Sequence, residues 1–400
     1  MKKLISSFAN TLLYAIAFAL VPMACGASPV SSVVGSYIFV EAVSFAVPKL
    51  VIGADVYSDT VLQAARAFIK DENNKKFELR PNFTNILGMF MKDREFSLPN
   101  LAELRAATTR TTTAMYLKKK TFTVGSSKSC SPSGQQSGSD SVDLSWAMKN
   151  VVITTNFKQH AGNEVSQARA FANDLYNAEV SLWESVDNAL LTYLEANKSA
   201  VNNGGSGEFD SDNDIMWIGN TNVDDFYNLV SSDMKLNNYN PAYLEAFNTM
   251  WEAKQRKYIN QGPGNSTNTA FQFAGFEFFP SNLISGTPTI GNNTYTSIHY
   301  VVPQNGVAIL DWNDPLNRVG KVSGEKSWST YQSILRPEFT FDLFKVSSCG
   351  DTTSSGGGTQ DYTETWELTL NYALAKQPVP TADETPIFKY GIADDNTYVS

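Results

Sequence analysis

Histidine and cysteine are almost missing from this chain: His160 and His299 are its two imidazoles, and Cys25, Cys130 and Cys349 its three thiols, all far apart. No spacing among them suits a metal ion, and three scattered cysteines are no disulfide framework. One Cys130–Cys349 bridge is compatible with the polar, Gly/Ser-rich loops that carry both; two free thiols is the simpler reading. Positive charge is short as well. With 31 Lys and Arg against 40 Asp and Glu, the net charge of −9 argues against a chain whose main task is gripping nucleic acid. Catalytic signatures are missing too: no Gly-x-Ser-x-Gly elbow, no His-Glu-x-x-His, no Cys-x-x-Cys, and no Gly-x-Gly-x-x-Gly after a strand. No catalytic residue, metal site or cofactor is assigned, and the chain does not read as an enzyme.

What the sequence does contain is core-forming material. Hydrophobic residues make up 42% and aromatics 12% of 400 residues, which is globular composition, and the length allows two or three domains. Asn, Ser, Thr and 25 glycines cluster between the apolar runs, so the polar connections are many.

The strongest pattern lies between Gly162 and Gly204, a stretch without internal Gly or Pro. Val165, Ala168, Phe171, Ala172, Leu175, Leu182, Val186, Leu190, Tyr193 and Leu194 recur mostly every three or four residues, with Trp183 beside them. This predicts one amphipathic helix over 163–201, with Phe171, Leu175, Leu182, Val186, Leu190 and Leu194 as its core face. Asn163 is placed as N-cap, Glu164 suits the helix dipole, and Asn202-Asn203-Gly204-Gly205 reads as the stop. At about 1.5 Å per residue it would span roughly 50 to 60 Å. Its stripe is not strictly heptad and strand-rich sequence flanks it, so a spine lying across a sheet is expected rather than a coiled coil.

Before the spine, Lys2-Lys3 and the apolar run Leu12 to Ala24, followed by Cys25, fit a signal peptide. They fit an apolar arm packed on a neighbouring subunit equally well, and the run is too short and interrupted for a good membrane span. Val33 to Ile52 has strand character, Val56 to Lys70 a short helical pattern, and Asp71 to Thr112 reads as an extended, partly structured arm. A long hairpin follows, with strands Met115–Val124 and Val142–Phe157. Its tip, Gly125 to Asp140, is too polar and Gly/Ser-rich to pack, and has a use if it lies on another molecule.

After the spine, a helix with a capping box is expected from Thr221 through Leu236. The segment from Asn240-Pro241 to Ile259 reads as helix, or as a short strand over Tyr243–Phe247. Strands are expected over Phe271–Phe278, then Ser297–Val302 and Val307–Trp312 around the Asn305-Gly306 turn, and finally Phe339–Val346 and Tyr362–Leu374 around a loop from Ser347 to Gln360. Residues from Gln377 onward look like a tail. Gly320 to Ser327 is superficially like a phosphate-binding loop, but its glycines are too close and no strand–loop–helix context surrounds it; it reads as a solvent loop. The acids of Glu208–Asp214, or Asp224 with Asp225, could be imagined as a calcium or acid–base site. A solvated linker and helix-start acids explain them more cheaply.

Several segments, taken in order, carry a family resemblance: Val142–Trp146, Ala161–Glu164, Ala189–Lys198, Gly264–Phe273 and Pro303–Trp312. With them the chain resembles the major capsid proteins of tailed bacteriophages with the Hong Kong 97-type fold, those of Bacteroidetes phages in particular, over roughly Met115 to Ala375. The resemblance implies an α+β subunit. It would have an N-terminal arm (1–114), an extended β-hairpin loop (115–157), a peripheral domain built on the spine helix and sheet (158–203 and 298–376), an axial α/β domain (204–297) and a C-terminal tail (377–400). It also implies a shell enclosing the phage genome, assembled in the bacterial host cytoplasm and located in the virion. The expected partners are further copies of the chain in hexamers and pentamers, portal, scaffold or decoration proteins, and packaged DNA held only non-specifically. Specificity would lie in subunit contacts, with Gly125, Lys128, Cys130, Pro132, Gly134 and Gly138 at the inter-subunit loop tip. The rival reading is a secreted or lipid-anchored bacterial surface protein, which rests on the N-terminal run. A secreted hydrolase has only unspecific carboxylates behind it.

Overall fold

Along Thr363–Leu370 apolar and polar residues alternate, and the alternation places Trp366, Leu368 and Leu370 in a core while Thr363, Thr365, Glu367 and Thr369 stay half-buried. These residues belong to the longest strand of a computed structural model. The model describes residues 85–92, 98, 100–117, 122–128, 130–136, 138–156, 164–251, 275–352, 359–378 and 385–399, with Ala67 alone before them. Met1–Glu72 and Asn163–Asn173 form one unit, and Asn73–Gly162 with Asp174–Ser400 the other. Of the first unit, Ala67 and the helical residues 164–173 are described.

In chain order the elements are α1 (Asn85–Met91), α2 (Leu101–Ala106), β1 (Thr113–Leu117), β2 (Ser139–Asp143), β3 (Ser145–Asn156) and α3 (Glu164–Ala196). Next come β4 (Glu208–Asp210), β5 (Ile215–Ile218), α4 (Phe226–Leu236), β6 (Tyr243–Asn248), β7 (Phe276–Ser281), β8 (Thr289–Ile290) and β9 (Asn293–Pro303). The chain then runs through β10 (Val307–Trp312), α5 (Pro315–Val319), β11 (Lys321–Ser323), β12 (Lys326–Gln332), β13 (Thr340–Thr352), β14 (Thr359–Lys376) and β15 (Phe388–Ala393). This is an α+β arrangement around two sheets.

The first sheet is organised by β14. Its residues 363–374 pair with β3 along one edge; along the other, 359–369 pair with β13 and 371–376 with β10. β12 and β11 extend the sheet beyond β13. The expected hairpin is therefore divided. β1 and β2 pair over only five residues each, and past Leu144 the chain leaves β1 to become the outer neighbour of β14. Leu144 N–H still donates to Thr112 O, and Ala114, Val142 and Leu144 are buried with Leu310 and Ala373, so hairpin and sheet are pinned at that point. The strands β13 and β14 are longer than expected and take in residues 347–352 and 359–360 of the segment read as a loop. Gly320 to Ser327, read as a solvent loop, supplies β11 and the turn into β12; Gly320 and Gly324 there have positive φ, which glycine adopts without strain.

α3 is the spine. Phe171, Leu175, Leu182, Val186, Leu190 and Leu194 are all buried, and the Trp183 ring lies 5.0 Å from Phe339 and 5.5 Å from Phe341 on the sheet side. The side chains of Val165 and Ala168, and Asn163 itself, lie outside the described residues. The helix stops at Ala196, before the expected Val201. Asn197 Nδ2 closes back on Tyr193 O, Thr385 Oγ1 donates to Asn197 O, and Ser199 N–H donates to Ile387 O, so tertiary partners take the chain out of the helix. The glycines read as the stop serve a different purpose: Asp233 accepts from Gly205 N–H and Ser206 O–H, and a Cβ at Gly204 would lie 2.2 Å from Asp233 Cγ.

The second sheet has the order β4-β5-β15-β9-β6-β7, with β8 on β9; β5 and β15 run parallel, as do β6 and β7. α4 covers one face with Phe226, Tyr227, Val230 and Met234 against Ile218, Val301 and Tyr390. Three expectations are corrected here. First, β15 lies within residues read as a tail, yet it is a fully buried strand between β5 and β9. Second, β9 and β10, on either side of the Asn305-Gly306 turn, do not pair with each other. β9 is already paired on both edges, by β15 and β6, so the turn hands the chain to β14 in the other sheet. Third, Asn220–Asp225 forms a 3₁₀ turn and α4 begins only at Phe226, without a side-chain cap. Of the two readings after Asn240, the strand is seen over Tyr243–Asn248, residues 249–251 are helical, and 252–259 lie outside the described residues.

The segment read as a loose arm, 71–112, contributes two packed helices. Ile86, Leu87, Met89 and Phe90 of α1 and Leu101 and Leu104 of α2 are buried. Short amphipathic pieces between prolines carry too little periodicity to be recognised alone. The strand and helix readings before them lie outside the described residues, Ala67 excepted, as do His160, Phe271–Ala274 and the run Met1 to Cys25. No helix among the described residues is long and apolar enough to cross a membrane.

Candidate assembly surfaces

The tip residues Gly125, Lys128, Cys130, Pro132, Gly134 and Gly138 are all exposed, and Cys130 is a free thiol. Apolar side chains stand out with them: Met115, Phe122 and Val124 are 59%, 49% and 92% exposed on the same hairpin. Exposed apolar side chains grouped on one element are a common mark of a surface that meets another molecule. The tip, expected to be slack, carries a brace. Gln135 accepts from Thr123 N–H at 3.0 Å and donates to Thr123 O at 3.2 Å, so its amide stands in for a strand partner.

The hairpin's root is clamped by residues for which no sequence spacing gave a signal. The Arg110 guanidinium sits 5.7 Å from the Trp146 ring and 5.2 Å from the Trp312 ring, and donates to Asn371 Oδ1. Arg318 covers Trp312 at 5.7 Å and donates to the carbonyls of Ala106 and Ala107. Both indoles also donate to the same strap: Trp146 to Thr111 O at 2.7 Å and Trp312 to Ala107 O at 2.9 Å. Arg105 pairs with Asp311. Strap 105–112 is thus tied to β3, β10 and β14 just where the hairpin departs.

Three carboxylates on the spine anchor it. Glu179 is buried and accepts from Tyr331 O–H, Ser333 O–H and the backbone N–H groups of Ile334 and Leu335; burial raises its pKa against those bonds. Asp187 Oδ1 accepts from Leu87 N–H at 2.7 Å and fixes the start of α1; burial pushes this carboxyl up to about 7. Glu195 meets Lys389 at 2.8 Å, Lys198 at 2.7 Å and the Tyr300 hydroxyl at 2.6 Å, which ties the last helical turn to β9 and β15. The polar residues of this helix are therefore fastenings as much as a solvent face.

The acids considered for chemistry do something else. Asp210 accepts from the N–H groups of Asp212 and Asn213 with one oxygen and from Asn213 Nδ2 with the other, which closes the β4–β5 turn. Among the described residues no group of three or more His, Cys, Asp or Glu could hold a metal ion. His299, the other isolated imidazole, is buried with Nδ1 2.6 Å from Glu245 Oε1, and the Phe226 and Trp251 rings lie 4.5 and 4.9 Å away. That is a core pair.

No family model matches the chain, and no curated protein does. Solved structures do align with it. One from Mycobacterium phage Cain has a TM-score of 0.40 at 12% identity, over 77% of this chain and 90% of that one. The capsid structure of the cyanophage P-SCSP1u gives 0.37 at 10% identity, over 71% and 84%. The capsid of a native GTA particle gives 0.32 at 11%, over 74% and 90%.

Proposed function

We propose that the chain is a major capsid protein of a tailed bacteriophage, a subunit that assembles with copies of itself into the icosahedral shell of the virion and carries out no chemistry. The observation that carries this reading is the hairpin and its tip, which expose Met115, Phe122 and Val124 and are rooted through an Arg–Trp clamp on β3, β10 and β14. An isolated globular protein gains nothing from an anchored arm with apolar side chains in water, whereas a subunit that lays it on a neighbour does. The resemblance of the ordered sequence segments points the same way. On this reading the six-stranded sheet and α3 make the peripheral domain. The seven-stranded sheet with α4 makes the axial domain, with β15 joined to it from the far end of the chain.

Replacing Phe122 and Val124 by Ser tests the reading. Both are exposed, so the far-UV circular dichroism should be unchanged while sedimentation shows at least a tenfold loss of self-association. Unaltered assembly by the double variant would remove the hairpin from the interface.

A further inference from the structure

Among the described residues β3 pairs with β14 along one edge and with no strand along the other. That leaves residues 145–155 with half of their N–H and C=O groups aimed away from the sheet. Proteins usually blunt such an edge with prolines, bulges or several charges. β3 has no proline, its register with β14 is unbroken, and Lys149 is its one charged residue. Met148 and Val152 stand on its outer face at 56% and 55% exposure, with Asn150 between them. The Asn150 and Thr154 side chains lean the other way, on Glu367 and Thr365 of β14.

We propose that this edge is a two-fold contact with β3 of a second copy of the chain, antiparallel and centred on Asn150. Such an axis, normal to the sheet, keeps outer-face residues on the outer face, so only registers that oppose residues of the same face are allowed. Four of these pair at least nine residues of the strand, those centred on Lys149, Asn150, Val151 and Val152. Centring on Val152 pairs only 148–156 and sets Met148 against Asn156, so one apolar side chain meets a polar one. Centring on Lys149 sets two ammonium groups directly opposite, which repel. Centring on Val151 sets Met148 against Thr154 and Val152 against Asn150, so each apolar side chain meets a polar one. Centring on Asn150 sets Met148 against Val152 of the second copy, twice, and Lys149 against Val151. Residues 145–155 all pair, with about ten inter-strand hydrogen bonds. The two exposed apolar side chains of β3 are thus the right distance apart to cover each other across a dyad. The contact deepens the capsid reading, on which it rests for the supply of neighbouring copies.

The test uses full-length chains in which Cys25, Cys130 and Cys349 are replaced by Ser. Asn150→Cys and Thr154→Cys are compared under oxidation and with a short bifunctional thiol reagent. On the dyad the two thiols at 150 face each other, while those at 154 lie eight residues apart, about 26 Å. At least tenfold more cross-linked dimer is expected for Asn150→Cys. No dimer at 150, or as much at 154, overturns the contact. In the otherwise unaltered chain, Met148→Lys with Val152→Lys should keep the fold by circular dichroism and weaken self-association at least tenfold; unchanged association also overturns it. Shells that form without the cross-link at 150 sink the contact and leave the capsid reading standing. Cross-linked dimers that never close into shells do the reverse.

Discussion

Glu195, in the last turn of α3, holds the Lys389 ammonium at 2.8 and 2.9 Å, and Lys389 belongs to a strand 194 residues further along the chain. One ion pair thus joins the end of the spine to the middle of the second sheet. Burial pushes the Glu195 carboxyl up, but hydrogen bonds from Lys198, Lys389 and Tyr300 outweigh it and hold the group at about 2. Burial also weakens the Lys389 base, and the adjoining carboxylate keeps it charged.

Because the folded-state value lies below the unfolded one, Glu195 contributes stability above about pH 4.5 and loses it as the pH falls towards 2. Glu195→Gln should therefore lower the melting temperature by a few degrees at pH 7, and the gap to the unaltered chain should narrow between pH 4.5 and 2. Thermal melts across that range check this.

Asp187 has the opposite sign. Its folded-state value, about 7, lies above its unfolded value near 3.8, so its contribution is complete below pH 3.8 and is lost as the pH rises through 7. Asp187→Asn keeps an oxygen for Leu87 N–H and removes the buried charge. The variant should melt above the unaltered chain at pH 8 and lose that advantage at pH 5. Asp187→Ala, which orphans Leu87 N–H in the core, should be less stable at pH 5 by about 1–3 kcal/mol.

Glu179 is a harder fastening. Glu179→Ala leaves the Tyr331 and Ser333 hydroxyls and two backbone N–H groups without their acceptor, and should cost at least about 1–3 kcal/mol in denaturant unfolding. A cost below about 1 kcal/mol would mean the helix is held by apolar packing alone.

The Arg110–Trp312 stack makes a local prediction. Arg110→Ala removes two exposed cation–π contacts of about 0.5–1 kcal/mol each and the hydrogen bond to Asn371 Oδ1, so global stability should fall only modestly, by about 1–3 kcal/mol. Hydrogen exchange should nevertheless speed up across strap 105–112 and β1. Faster exchange spread over both sheets would show that the clamp is not local.

How much of this was legible in the sequence depended on how local the signal was. The spine needed only its own spacing, and the six core positions from Phe171 to Leu194 are buried. The Asn305-Gly306 turn was visible too, but not what it joins: which edge β10 takes depends on β9 being full on both sides, a fact of topology. Phe388–Ala393 was hidden by the Pro- and Asp-containing sequence before and after it, although Phe388, Tyr390 and Ile392 alternate as a buried strand should. Val142–Phe157 read as one strand because its propensity is continuous, and the change of partner at Leu144 leaves no mark in composition. The Arg110–Trp146–Trp312–Arg318 clamp joins residues up to about two hundred positions apart, beyond any motif.

Electron microscopy of the expressed full-length chain, beside a variant lacking 125–138, bears most directly on the central claim. The account predicts closed shells of uniform diameter, or hexamers and pentamers, for the unaltered chain, and a folded subunit that fails to form them for the deletion. A chain that stays monomeric under all assembly conditions would contradict it.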